Sequence, residues 1–252
     1  MATYQLRRMS IGEILDGAFV IYRAYFGTLV AIAIVCEGVP AILNTYVTLG
    51  GGAIEYPLLW LATFVLSGLG GLVAAAATVW VISEAYLGRD ATVGDALSYA
   101  LGKMVSLFVA GLAKYLLILL GLFFFFIPGI VVACGYAVVA QVVVLEDLPV
   151  ATNALRRSWF LTKGHKPRAL VLGFVVFAII WLPFMIAGAL ALFVPFLGHV
   201  FTVGGQLLQL VVYPLVACAF TLFYYDLRVR KEAFDLEHLG RQIGLTAEPA
   251  EA

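Results

Sequence analysis

The run Val109–Ile127, VAGLAKYLLILLGLFFFFI, passes through Pro128-Gly129 into Ile130–Leu145, IVVACGYAVVAQVVVL, and Lys114 is the sole charged residue in it. A helix crosses a ~30 Å hydrocarbon core with about 20 mostly apolar residues, and a proline-glycine pair cannot continue a helix. The run therefore reads as a transmembrane hairpin turning at Pro128-Gly129, its second arm short enough to begin before the turn or to sit where the bilayer thins. Working outward, Thr28–Leu49 and Pro57–Ile82 form a hairpin before it, and Ala169–Phe193 and Val203–Tyr225 form one after it. The expected fold is all-α: a polytopic membrane protein with six transmembrane helices, one domain over residues 1–243 and a disordered tail over 244–252. Composition agrees. The chain has 252 residues, 63% hydrophobic and 12% charged, with mean hydropathy +1.05, whereas soluble domains are about 45–50% apolar and about 25% charged.

Charge placement sets the expected orientation. Of the 15 lysines and arginines, all but Lys114 fall before the first span, between spans two and three, between four and five, or after six. The opposite connections, Gly50–Tyr56, Pro128-Gly129 and Val194–Thr202, carry none, so both termini and both long loops are expected in the cytoplasm of a cell whose inner (plasma) membrane holds the chain. Arg7-Arg8 opens like a twin-arginine export signal, but Gly12, Glu13, Asp16 and Arg23 interrupt the apolar region such a signal needs. Cys36, Cys134 and Cys218 lie in apolar runs, without a CxxC pair, and read as small core hydrophobes.

Three openings repeat: SIGEILDGAFVIY from Ser10, TVGDALSYALGKM from Thr92 and PVATNALRRSWFL from Pro149. Ser10 with Glu13, and Thr92 with Asp95, have the spacing of helix-capping boxes. Ile11, Ile14, Leu15, Ala18, Tyr22 and Tyr25 share one helical face in the first, with Glu13, Asp16 and Arg23 opposite; Val93, Leu97, Ala100 and Met104 repeat that face in the second. Such helices lie in the membrane plane. The expected plan is an interfacial amphipathic elbow plus a transmembrane hairpin, used three times over about 10–86, 92–146 and 149–230, with a last surface helix over about 231–243. On this plan Lys114 falls in the first turns of span three and snorkels to the cytoplasmic surface. Pro40, Pro128 and Pro183 recur at similar distances from the three openings, which reads either as packing kinks or as the interrupted helices of a transporter site.

SIGEILD (Ser10–Asp16), Pro128-Gly129, VVLED (Val143–Asp147), ALRRSWFLTKG (Ala154–Gly164) and YYDLRVRKEAFDL (Tyr224–Leu236) together resemble the membrane domain of bacterial glycerophosphoryl diester phosphodiesterases and its stand-alone relatives. The resemblance covers nearly the whole chain and implies a six-helix membrane domain. It implies no activity, because in two-part members of that family hydrolysis belongs to a separate soluble α/β barrel, and no segment here alternates strands and helices.

Glu37 is mid-span, where an ionisable side chain suggests a functional site; the structural alternative is a hydrogen-bonded carboxyl facing the bundle, toward Asn44. Glu84 reads as an ion-pair or capping partner near the end of span two. Gln141, Gln206 and Gln209 read as interhelical hydrogen-bond partners. A second constellation gathers Glu146 and Asp147 after span four, Asn153, Arg156, Arg157 and Lys163 on elbow three, and Asp226 with Arg228 at the end of span six. It reads either as a clamp locking elbow three to the bundle or as a phospholipid headgroup site.

Several chemistries are excluded. His165, His199 and His238 lie in or beside polar segments, leaving no intramembrane Ser–His dyad or haem ligand pair. There is no mid-span aspartate, no GxxxxGK[ST] loop and no HExxH helix, and Gly68, Gly70 and Gly71 read as close-contact residues, not a nucleotide loop. No cofactor, metal or nucleic-acid partner is expected. The expected function is a non-catalytic module that organises or recruits a membrane or cytoplasmic protein among membrane lipids; the alternative is a transporter or lipid-handling protein working through Glu37 and a cytoplasmic-face headgroup site.

Overall fold

The computed structural model describes residues 8–86 and 89–242, and within them it is helical without a strand. The helices are α1 (Ile11–Ala24), α2 (Phe26–Leu49), α3 (Pro57–Tyr86), α4 (Val93–Phe124), α5 (Phe126–Gly135), α6 (Val139–Leu145), α7 (Asn153–Thr162), α8 (Lys166–Phe193) and α9 (Pro195–Gln242). Among the described residues, five spans are long and apolar enough to cross a membrane: α2, α3, α4, α5 with α6, and Val203–Glu232 of α9. The pair α7 and α8, bent by 100°, makes a sixth if counted as one span. Phe123 to Ile127 are each 65–84% exposed, and only 11% of the apolar window of α4 is buried within the protein. Apolar surface on that scale is unsustainable in water and natural against lipid tails. This is an all-α polytopic membrane protein.

Its core is built around α3, which packs on α2, α4, α6 and α9. Small residues allow this: Ala74, Ala76 and Ala77 of α3, Ala96, Ala100 and Ala110 of α4 and Ala219 of α9 are buried in one cluster. Without a hydrophobic drive between helices in lipid, close backbone approach is what holds them. Gly70 is the tightest case, since a Cβ there would lie 3.2 Å from the carbonyl carbon of Cys36 in α2 and closer still to its oxygen.

The amphipathic reading of α1 matches its packing. Ser10 and Glu13 close a capping box, with the Glu13 N–H donating to Ser10 Oγ at 3.2 Å and the Ser10 N–H to Glu13 Oε2 at 2.7 Å. Ile14, Ala18, Ile21 and Tyr22 are buried against the bundle while Asp16 and Arg23 are exposed. In α7, Ala154, Leu155, Ser158, Leu161 and Thr162 form the buried face. Gly164, at φ 86°, takes the left-handed conformation that ends α7 and lets the chain swing into α8.

The structure differs from the expected plan in six places. The second elbow is no separate helix, because α4 runs unbroken from Val93 to Phe124; this leaves Lys114 about six turns along α4, not in the first turns of a span. The turn between α4 and α5 falls at Phe125 (φ −160°, ψ 146°), and Pro128 sits in the first turn of α5. Proline costs nothing there, its missing N–H having no intrahelical partner, and its clash falls on the carbonyl of Phe124, where α4 already stops. Gly129 packs into this hairpin so closely that a Cβ would lie 2.9 Å from the Leu122 nitrogen. The fourth span is broken at Tyr136–Val138 between α5 and α6. The connection before α9 is Val194 alone, not Val194–Thr202. Pro149–Thr152 precede α7 as turns, so the third elbow is shorter than its motif. Finally, α9 runs on to Gln242 without the break expected before a surface helix; the tail over 244–252 lies outside the described residues.

Candidate functional site: a charged clamp and an intramembrane carboxyl

At the end of α6, along α7 and in the second half of α9, five side chains close a ring. Arg157 Nε donates to both oxygens of Glu146, at 3.0 and 2.8 Å, and its terminal nitrogen pairs with Glu232. Glu232 in turn accepts from Arg228 Nε at 2.7 Å, one helical turn back. Arg228 reaches the Tyr224 hydroxyl at 3.4 Å, and that hydroxyl donates to Glu146 Oε1 at 2.9 Å. The two guanidiniums and two carboxylates satisfy one another, with the phenol bridging the remaining gap.

Asp226 heads a second knot. Its side chain is fully buried, yet it accepts from Arg230 Nε at 2.9 Å, from Arg168 at 3.1 Å and from the Met9 N–H at 2.8 Å. Arg168 and Arg230 also donate to the Met9 carbonyl, at 2.7 and 2.8 Å. One buried carboxylate thus ties the segment before α1 to the start of α8 and the second half of α9. Lys103 and the fully exposed Asp147 make a separate surface pair at 3.1 Å.

The constellation read from sequence is therefore divided. Glu146, Arg157 and Arg228 come together, but only through Glu232 and Tyr224. Asp226 does not join them and binds Arg168, Arg230 and Met9 instead. Asn153, Arg156 and Lys163 are exposed on the other side of α7. Their separation follows from helix geometry, since residues 156 and 157 point about 100° apart. Glu232 and Arg230 carried a usable signal, each lying four residues from an oppositely charged partner, Arg228 and Asp226; the role of Met9 had none, because backbone groups leave no trace in a sequence. Glu84 lies 3.5 Å from Arg89, a contact with exposed Arg89.

The break in the fourth span is sealed from α7. Gly135 O accepts from Ser158 Oγ and Thr162 Oγ1, both at 3.0 Å. The Trp159 ring packs against Gly135, where a Cβ would lie 3.2 Å from ring carbon Cδ2 and nearer to others. A break in an apolar span leaves backbone groups that protein groups must satisfy, as Ser158 and Thr162 do here.

Glu37 lies in α2 with its carboxyl turned to α3: Oε1 is 3.0 Å from where a Gly70 Cβ would be and 3.3 Å from that of Gly71. Asn44 is not its partner, being two turns or about 10 Å further along the helix. Tyr213 of α9 is within electrostatic reach of both Glu37 and Tyr115. Gly70 and Gly71 thus serve the close contact read from sequence, whereas Gly68 has open space around it. Gln141 is buried with Oε1 unpartnered, and neither Gln206 nor Gln209 forms the expected interhelical bond among the described residues. Outside the spans, burial and then Arg230, Lys231 and Arg168 hold His165 below its ordinary pKa, opposed by Asp226. Among the described residues no group of three or more His, Cys, Asp or Glu is placed to hold a metal ion. No family model matches the chain, and neither a curated protein nor a solved structure does.

Proposed function

We propose that this chain is a stand-alone relative of the membrane domain of bacterial glycerophosphoryl diester phosphodiesterases. On this reading it is a non-catalytic module of the inner (plasma) membrane, with both termini and the α7 side in the cytoplasm, and it organises or recruits a protein partner. One observation carries the reading. Of the carboxylates that chemistry on a headgroup would need, exposed Asp147 pairs with Lys103 at the surface, while Glu146 and Asp226 are spent on internal donors, and Asp226 has no exposed side-chain surface. A general base or metal-binding carboxylate must reach its substrate, whereas these hold α1, α7, α8 and α9 to one another.

Purified protein incubated with a phospholipid panel and divalent metals is expected to release no product, and turnover of any lipid overturns the non-catalytic part. Photo-crosslinking in native membranes is expected to recover a stoichiometric protein partner, and repeated recovery of the chain alone counts against recruitment. For orientation, a cysteine replacing Gly51 should react with an impermeant maleimide on intact cells and one replacing Lys163 should not; the reverse pattern inverts the topology.

A second reading, transport or lipid handling, is favoured by the Glu37 carboxyl, which has no hydrogen-bond donor among the described residues and lies beside Gly70 and Gly71 in a membrane span. It requires that Glu37→Gln change a proton-coupled flux or lipid distribution in proteoliposomes, and an unchanged rate removes it.

A further inference from the structure

Cations on this surface differ in their partners, Lys231 for one lying over the Phe160 ring at 5.6 Å. Arg157, Arg168, Arg228, Arg230 and Lys103 each have a carboxylate within 3.1 Å. Arg156, Lys163 and Lys166 have no such ion pair among the described residues, and they gather around a single side chain, Trp159. Lys166 Nζ stands 3.4 Å above its ring centroid. Arg156 precedes Trp159 by three residues, the spacing that places side chains on one helical face, Lys163 is the residue that caps the end of α7, and both are exposed.

Trp159 also closes one end of an apolar groove of about 330 Å³ between α4 and α5, whose walls include Leu117, Gly121, Phe124, Val132 and Tyr136. The groove exists because Gly121 and Gly129 bring the two arms of the α4–α5 hairpin close at one end, while the break after Gly135 admits Trp159 at the other. From Leu117 to Phe124 it follows α4 for about 10 Å of helix rise. An apolar slot that ends at an indole under an ammonium, beside two further uncompensated cations, is complementary to one class of molecule: an amphiphile with a hydrocarbon chain and an anionic head.

We propose that this is a binding site for one anionic phospholipid, with an acyl chain in the α4–α5 groove and the phosphate held by Arg156, Lys163 and Lys166. The guanidinium and ammonium donors supply charge-assisted hydrogen bonds to phosphate oxygens. The indole belongs at the boundary between head and chain, with an apolar body and a polar tip. A zwitterionic lipid brings its own cation and gains less. The site is independent of the clamp, because neither ring nor knot contributes a group to it, and it stands whether or not the chain recruits a protein.

Trp159 reports occupancy directly. Full-length protein with Trp60, Trp80 and Trp181 replaced by Phe is reconstituted in phosphatidylcholine bilayers containing phosphatidylglycerol with brominated acyl chains. The companion sample carries the bromines on phosphatidylcholine instead. Quenching of Trp159 should show phosphatidylglycerol enriched at the site at least several-fold over its mole fraction, falling by about fivefold for each of Arg156→Gln, Lys163→Gln and Lys166→Gln. Val132→Trp is excluded from that assay and read by native mass spectrometry, which also serves if the tryptophan-depleted chain fails to fold. Wild-type protein should retain one phosphatidylglycerol more stably than phosphatidylcholine of the same chain length. Val132→Trp, filling the groove with every cation in place, and the triple glutamine variant should each lose it. Equal quenching by both lipids, equal retention of both, or retention unchanged by filling the groove would each overturn the site.

Discussion

Replacing Asp226 with Asn tests the buried knot most sharply. The side chain has no exposed surface and accepts from Arg168, Arg230 and the Met9 N–H. Asparagine keeps the shape but removes the charge from two guanidiniums whose side chains are only 26% and 20% exposed. It also offers an NH2 group where only donors converge. Removing one partner of a buried pair costs about 3–5 kcal/mol. Both arginines retain the Met9 carbonyl as acceptor and some access to water, so the lower end, about 3 kcal/mol, is expected. For a chain of this length about 2–4 °C accompanies each kcal/mol, so the unfolding midpoint should fall by about 6–12 °C. A fluorogenic maleimide in mild detergent reads this through Cys134 and Cys218, which are buried until the bundle opens. Asp147→Asn, at a fully exposed carboxylate paired with Lys103, is the control and should leave the midpoint unchanged. If Asp226→Asn unfolds with the control, the carboxylate is not the hub described here.

Gly70→Ala should destabilise by about 1–3 kcal/mol through overpacking against the Cys36 carbonyl, while Gly68→Ala, with nothing in reach, should be neutral in the same thermal assay; equal effects would discount the close contact. Ser158→Ala or Thr162→Val alone leaves Gly135 O one donor, so each should cost under about 1 kcal/mol, whereas the double change strands the carbonyl and should cost about 1–3 kcal/mol more than their sum. Strict additivity would argue that the break is not sealed this way. His165 should make stability pH-dependent. Its folded pKa lies below its ordinary value, through burial first and then Arg230, Lys231 and Arg168, so below about pH 6.5 the unfolded chain binds the proton more readily. Stability is then full above that pH and declines as pH falls toward the folded pKa. Midpoints measured from pH 7.5 to 5 should fall less in His165→Gln than in wild type, and parallel curves would refute the assignment.

How much could be read in advance depended on the kind of interaction. The membrane-spanning character was legible because bilayer thickness demands long uninterrupted apolar runs, and those are one-dimensional patterns. The capping box of Ser10 and Glu13 was legible for the same reason, as its partners are three residues apart. Boundaries were less so. The proline that marked a turn proved to sit just inside the next helix, since its chemistry forbids only an interior position. The second elbow looked like the first in pattern, yet nothing local broke α4 before Phe125.

The amino-acid order alone determined that this chain is an all-helical membrane protein, because burying backbone polarity in lipid leaves few other solutions and hydrophobic length announces them. Only the tertiary structure decided which charges spend themselves on each other and which stay free. Arg156 and Arg157 are neighbours in the chain, but helical rotation turns one into a closed ring with Glu146 and Glu232 and leaves the other exposed, with no carboxylate partner among the described residues. Pairing depends on direction and distance between elements far apart in sequence, Met9 to Arg230 being the longest reach among the described residues, and such distances are set by packing.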